Sequence, residues 1–157
     1  MIALRTKDDE LVWLARKCIF IRELPDNRGQ RVEGIQRWCG GTAGQSWCCH
    51  FATWLLDLVY EGQSPVPRTG SCDTILALAT VKGWLRDTPV PGDLYLVLRT
   101  PDDAHHVGIV TEVAQPGRFW EVSGNTNTDG SDNGIGVFER ERSIGRDSLV
   151  FVHYPRG

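Results

Sequence analysis

The sequence has little excess charge, no long apolar run and no regularly spaced cysteine pairs, and each absence excludes a class of protein. Its 157 residues include 17 basic and 20 acidic side chains, a formal net charge of −3, whereas nucleic-acid-binding domains usually show a basic excess. No apolar stretch approaches the roughly 20 residues of a membrane-spanning helix. Residues 1–10 contain no apolar region of the kind found in secretory signal peptides. We therefore expect a protein that is made in the cytoplasm, binds no nucleic acid and does not insert into membranes.

Five cysteines, at positions 18, 39, 48, 49 and 72, are the most chemically suggestive residues. None of them has the C-x-x-C spacing that is typical of a structural zinc site. Their odd number leaves at least one thiol free, and Cys18 lies at an apolar helix position where we expect it to be a core residue. A disulfide between Cys39 and Cys72 is left open by the sequence. We expect neither a metal ion nor another cofactor.

The order of predicted elements indicates a single α+β domain over residues 1–157. Apolar spacing predicts helices over 8–23, 30–38, 47–60 and 75–79. Strands are predicted over 94–98, 106–113, 118–123, 137–142 and 149–153, with a glycine- and asparagine-rich loop over 124–136. Helices followed by an antiparallel meander are typical of an α+β fold and not of alternating βαβ units.

Cys48 is the candidate nucleophile, because it falls in the first turn of a strongly apolar helix. The N–H groups and the dipole of a helix start stabilise a thiolate, so we expect a lowered pKa at this position. The same N–H groups can hold an oxyanion during acyl transfer, with Gln45 as an additional donor. An isolated cysteine at such a position is more often a core residue, so the interpretation needs a second group.

His106 is the candidate base, at the start of a predicted strand. Side chains of a strand alternate, so Gly108 shares the face of His106 and leaves room for another group. An imidazole opposite a free thiol is the base–nucleophile pair of cysteine hydrolases. On the next strand Glu121 and Asn125 share one face, and either offers a polar group to orient the imidazole.

Together these motifs resemble the CHAP amidase/endopeptidase family of the papain-like NlpC/P60 superfamily. The resemblance runs from residue 27 to residue 154 and rests on Asn27-Arg28-Gly29, Trp47-Cys48-x-x-Phe51-x-x-Trp54, Pro91-Gly92-Asp93, His106-Val107-Gly108-Ile109-Val110, Gly124-Asn125-Thr126-Asn127 and Gly136-Val137. It implies a papain-like fold in which the nucleophile begins a helix that packs on an antiparallel sheet carrying the histidine. It also implies peptidoglycan as the substrate.

Position by position, the resemblance assigns Cys48 as nucleophile, His106 as base and Asn125 as orienting residue. Many relatives have Glu two residues before that asparagine, where this chain has Ser123, so Glu121 remains a weaker candidate for the third role. Substrate or oxyanion contacts are predicted for Gln45, Trp47 and Ser123. Calcium-dependent relatives carry an Asp-rich loop before the nucleophile; residues 29–46 contain no Asp, so we expect no calcium site there.

The predicted function is hydrolysis of a peptidoglycan amide bond in the periplasm or cell wall. A phage lysin released by a holin or an antibacterial effector delivered by a secretion machine fits best, with delivery machinery or an immunity protein as further partners. One alternative is a non-catalytic wall-docking or phage-tail module, which loss of the family glutamate slightly favours and the intact set of Cys48, His106 and Asn125 argues against. A zinc site of Cys48, His50, His105 and His106 is a poorer alternative, because the first two side chains point about 200° apart on a helix.

Overall fold

Four helices precede a six-stranded antiparallel sheet in the computed structural model, which describes residues 5–127, 134–146 and 148–157. The helices are α1 Lys7–Lys17, α2 Gln30–Trp38, α3 Cys48–Val59 and α4 Cys72–Lys82, and the strands are β1 Leu85–Arg86, β2 Leu94–Thr100, β3 Asp103–Gln115, β4 Arg118–Thr126, β5 Gly136–Ser143 and β6 Leu149–Val152. The strand order is β1-β6-β2-β3-β4-β5. This is the predicted α+β architecture, and it is consistent with a papain-like fold.

Local sequence signals set the ends of α1 and α4. The Thr6 hydroxyl accepts a hydrogen bond from Asp9 N–H while the Asp9 carboxylate accepts from Thr6 N–H, which is a capping box. Ser71 caps α4 by accepting from Thr74 N–H, and Gly83 ends that helix in the left-handed conformation. The Ser71 cap explains why α4 starts earlier than the predicted helix over 75–79.

The predicted helix over 8–23 is too long by one and a half turns. Residues 18–20 form a turn, and from Ile21 the chain lies against the start of β5, where the Ile21 carbonyl accepts from Val137 N–H at 3.0 Å. Glu23 N–H donates to the carbonyl of Ile135 at 2.8 Å. Ile21 is buried as its spacing predicts, but pairing with the sheet overrides the helical periodicity.

The sheet carries an apolar cluster on each face. On one face α1, α3 and α4 cover a core that includes Leu96, Val107 and Ile109. A second apolar cluster lies on the other face of the sheet and includes Tyr95 and Phe119. Its residues alternate along the strands with those of the first cluster. α3 packs against β3 and β4, which places its first residue near the start of β3 and the end of β4.

Within the described ranges, no helix is both long enough and apolar enough to cross a membrane.

Candidate active site

Cys48 is the first residue of α3, and only 5% of its surface is exposed. Phe51 N–H donates to the carbonyl of Trp47 at 2.9 Å, which is the first hydrogen bond of the helix. No side chain of the described residues caps this end. The N–H groups of the first turn therefore lack helical acceptors and suit an anion that lies at the helix start.

Two side-chain amides hold the loop that leads into Cys48. Gln36, fully buried in α2, donates to the carbonyl of Asn27 at 3.1 Å and to that of Gln45 at 2.7 Å. Asn27, at a positive φ of 58°, donates to the carbonyl of Gly44 at 3.2 Å. The Asn27-Arg28-Gly29 motif thus helps to position the nucleophile. The role of Gln36 was not predicted from the sequence. Its position one turn after Val32, on the apolar side of α2, could have indicated a buried amide.

His106 lies fully buried near the start of β3, with its imidazole close enough to the thiol of Cys48 to lower the pKa of that thiol. The strand pairing shifts between Val97–His106 and Leu98–Ala104, which marks a β-bulge. Bulges change the direction of side chains and are frequent beside active sites. The structure therefore brings together the thiol and the imidazole that the sequence predicts as a pair.

Asn125 lies on the strand next to His106. The pairing of β3 with β4 includes Ile109–Val122, and His106 and Asn125 each lie three residues beyond that pair, at the same end of the two strands. Asn125 is fully buried with a φ of 55°, and its side-chain amide has no hydrogen-bond partner within the described part of the chain. A buried amide with spare hydrogen-bonding capacity at the same end of the sheet as an imidazole is suited to orient that ring.

The hairpin after Asn125 is anchored at both ends. The loop predicted over 124–136 begins later than expected, because β4 continues to Thr126. Residues 128–133, which belong to the same predicted loop, lie outside the described residues. Gly134 N–H donates to the Asn125 carbonyl at 2.9 Å, and Ile135 N–H donates to Oδ1 of Asn127 at 3.2 Å. A side chain at Gly134 would overlap the carbonyl group of Thr126.

Tyr95 fills the space beside Gly108. A Cβ atom at Gly108 would lie 2.5–2.8 Å from the ring and hydroxyl of Tyr95, so only glycine fits. Burial raises the pKa of Tyr95, whose hydroxyl lies next to Ser123, and the tyrosine and His106 ring centroids are 6.0 Å apart. Ser123 is fully buried, so it offers no surface to a substrate and instead supports Tyr95.

The two other predicted contact residues differ in exposure. Trp47 is fully buried; its indole N–H donates to Glu23 at 2.6 Å, and its ring packs on Gly124, where a Cβ atom would lie 2.7–2.9 Å from it. Trp47 therefore fixes α3 to β4 and offers no surface to a substrate. Gln45 is exposed and shares with His50 the lining of an open pocket of about 570 Å³, so it alone of the three has a surface position.

Glu121, the weaker candidate for the orienting role, is fully buried and paired with two guanidinium groups. Its Oε1 lies 2.7 Å from Nε of Arg140 and 3.4 Å from Nε of Arg142. A carboxylate with these partners stabilises β4 against β5, which favours Asn125 as the residue that orients His106.

The thiol of Cys48 is neutral in the resting protein. The neighbouring thiol of Cys72 and burial raise the pKa of Cys48 well above its usual range, and the opposing influence of His106 is smaller. The expectation of a lowered pKa at the helix start is therefore wrong for this state. A neighbouring thiol and loss of solvent outweigh the favourable position at the helix terminus.

All five cysteines are free. Cys72, the first residue of α4, contacts Cys48 and Cys49, whereas Cys39 donates to the carbonyl of His50 at 3.2 Å. The disulfide that the sequence leaves open between Cys39 and Cys72 is therefore not formed, and Cys18 is buried in the core as expected. His, Cys, Asp and Glu side chains in the described ranges form no group of three suited to a metal ion.

Comparison with known families gives a match that covers this site. The model of the CHAP domain matches residues 40–125, more than half of the chain, and the match includes Cys48, His106 and Asn125. Comparisons with curated proteins and with solved structures each found no match. CHAP domains are typically cysteine- and histidine-dependent amidases or endopeptidases of the papain-like NlpC/P60 group, and the family implies peptidoglycan as substrate. The chain belongs to the CHAP domain family.

Proposed function

We propose that this protein hydrolyses an amide bond of peptidoglycan with Cys48 as nucleophile, His106 as general base and Asn125 as the residue that orients His106. The observation that carries the proposal is the contact between the Cys48 thiol at the start of α3 and the His106 imidazole at the start of β3. A thiol, an imidazole and N–H groups without helical acceptors at one point are the components that acyl transfer needs.

The raised pKa of Cys48 sets the order of proton transfer. Since the thiol is neutral at rest, His106 takes its proton as the sulfur attacks the amide carbonyl. The N–H groups of the first turn of α3 hold the resulting oxyanion. His106 then protonates the leaving amine, and a water molecule, deprotonated by the same imidazole, releases the acid and restores the thiol.

Two finer features belong to the proposal. The bond cut is either the amide between sugar and stem peptide or a peptide bond within the stem or cross-link. The protein reaches the wall from the cytoplasm, through a holin as a phage lysin or through a secretion machine as an antibacterial effector with an immunity partner. The family supports the first feature, and the second is a prediction from the sequence.

Digestion of purified peptidoglycan, with fragments identified by mass spectrometry, tests the proposal. An amidase releases sugar-free peptides that begin with the first stem residue, whereas an endopeptidase exposes an amino group within the peptide and leaves the sugar link intact. Cys48→Ala is the matched control and should release no fragments. A wild-type protein that binds wall but releases nothing would contradict the proposal and support a docking module.

A further inference from the structure

Three buried thiols lie close together where α3 and α4 begin. Cys48 and Cys72 are the first residues of these helices, all three cysteines belong to one buried core cluster, and Cys72 lies near the thiols of both Cys48 and Cys49. The two segments are tied together by Thr53 of α3, whose hydroxyl donates to the carbonyl of Thr69 at 3.1 Å and accepts from its N–H at 3.2 Å. The contact between Cys48 and Cys72 is therefore held by the surrounding backbone.

The same end of α4 is fixed to the start of β3. The carboxylate of Asp73 accepts a hydrogen bond from Ala104 N–H at 2.8 Å. Ala104 lies two residues before His106, so this bond places the Cys72 thiol and the His106 imidazole around the same Cys48 sulfur. One thiol with a base beside it and a second thiol in contact is the arrangement of a dithiol that can be oxidised.

We propose that Cys48 and Cys72 form a reversible disulfide when the protein meets a low-molecular-weight disulfide such as oxidised glutathione, and that this bond removes the nucleophile from catalysis. The effect on wall hydrolysis rests on the proposed function. The thiol chemistry itself does not.

The exchange proceeds in two balanced steps. Cys48 gives its proton to His106, and its sulfur attacks one sulfur of oxidised glutathione, which forms a mixed disulfide and releases one glutathione thiolate. Cys72 then loses its proton to that thiolate, and its sulfur attacks the Cys48 sulfur and displaces the second glutathione as a thiolate, which takes up the proton held by His106. In total two protein thiols are oxidised to one disulfide, and one molecule of oxidised glutathione is reduced to two thiols.

The neighbouring cysteines are less suited to this reaction. Cys49 follows Cys48 directly in α3, and two successive helical residues do not reach disulfide geometry without backbone movement. Cys49 also contacts Cys72, but the imidazole of His106 contacts Cys48. Cys39 is held by hydrogen bonds to the His50 carbonyl and to Thr53, which makes it a matched control.

The test exposes the full chain to oxidised glutathione, blocks remaining thiols with iodoacetamide and locates the modified cysteines by peptide mass spectrometry. Wild-type protein should lose two hydrogens, carry no glutathione and yield a peptide pair linked through Cys48 and Cys72. Cys72→Ser should instead keep one glutathionyl group on Cys48, whereas Cys39→Ser should behave like wild type. Dithiothreitol should reverse every modification.

The wall-hydrolysis rate is measured in parallel, each variant against its own reduced form. Oxidised wild type should lose at least tenfold in rate and regain it with dithiothreitol. A stable glutathione adduct on wild-type Cys48, a link through Cys49 or no oxidation of Cys48 would each overturn the inference. If the linked peptide forms but the reduced protein has no activity, the proposed function fails and the disulfide stands. If Cys72→Ser does not fold, Cys72→Ala replaces it in both measurements.

Discussion

Two fully buried polar side chains, Asp93 before β2 and Asn125 in β4, have opposite surroundings. The Asp93 carboxylate accepts from Val90 N–H at 2.9 Å and lies 2.8 Å from Nδ1 of His153 and 2.6 Å from the guanidinium of Arg156. The Asn125 amide has no hydrogen-bond partner among the described residues. A fully satisfied group holds the fold, whereas a polar group left with spare capacity can serve a neighbour whose protonation changes. The two family motifs that contain these residues therefore have different physical roles.

Cys48→Ala tests most directly whether the region around Asn125 serves catalysis. The rate should fall to background, because the nucleophile supplies the bond that forms, while the melting temperature should change little. Wall hydrolysis and thermal unfolding measure the two effects. Cys49→Ala should keep most activity, and a dead Cys49→Ala beside an active Cys48→Ala would shift the nucleophile by one residue.

His106→Ala should lower kcat/KM by about 10²–10⁴-fold, the usual contribution of a general base. His105→Ala should have a mild effect, since that side chain is half-buried and the Cys48 thiol contacts His106. Steady-state rates on soluble wall fragments provide the measurement. Equal losses in the two variants would indicate a shared structural role and not a base.

Asp93→Asn should affect stability and spare the chemistry. It removes the buried one of the two carboxylates that pair with Arg156 and leaves the ion pair with Asp8, so the free energy of unfolding should fall by about 2 kcal/mol, as for a lost hydrogen bond to a charged group. Urea unfolding measures this change, and the rate per folded molecule should stay near wild type. A stable but inactive Asp93→Asn would contradict the division of roles between the two regions.

Asn125→Ala should lower the rate by roughly 10–10³-fold, since an orienting residue supplies geometry. Asn125→Gly is the matched control, because it also removes the amide but suits the φ of 55°; similar losses in both would assign the effect to the amide.

Ser123→Glu should be tolerated. Glu121→Gln should chiefly lower stability, and a slow but stable Glu121→Gln beside a normal Asn125→Ala would move the orienting role to Glu121.

The smallest expected effect is the change of the Cys48 alkylation rate with pH. Its pKa is raised, so thiolate is a minor form at neutral pH, and the iodoacetamide rate should rise about tenfold per pH unit from pH 7 to pH 9. Cys72→Ala removes the neighbouring thiol that raises this pKa, so labelling at pH 7 should be faster. A rate that is already constant below pH 7 would show a preformed thiolate–imidazolium pair instead.

The sequence was sufficient for the parts of the molecule that depend on local pattern. Periodicity predicted α2, α3 and strands β2 to β6, but not the two-residue β1. Motif order predicted that Cys48, His106 and Asn125 share one site; the structure places the Cys48 thiol beside the His106 imidazole, and the role of Asn125 stays a prediction. The contact of Cys72 with Cys48 was not predictable, because it depends on how the Thr69 segment returns to α3 through Thr53. For the same reason the pKa of Cys48 was predicted in the wrong direction: helix position is a local property, whereas burial and a neighbouring thiol are tertiary ones.

The hydrogen bonds that follow Asn125 have a consequence for which sequence changes this domain tolerates. Gly134 N–H donates to the Asn125 carbonyl and Ile135 N–H to the Asn127 side chain, so the end of β4 is tied directly to the start of β5. A side chain at Gly134 would overlap the carbonyl group of Thr126. Substitution of Gly134 should therefore displace the end of β4, and with it Asn125, although neither residue contacts the other through its side chain.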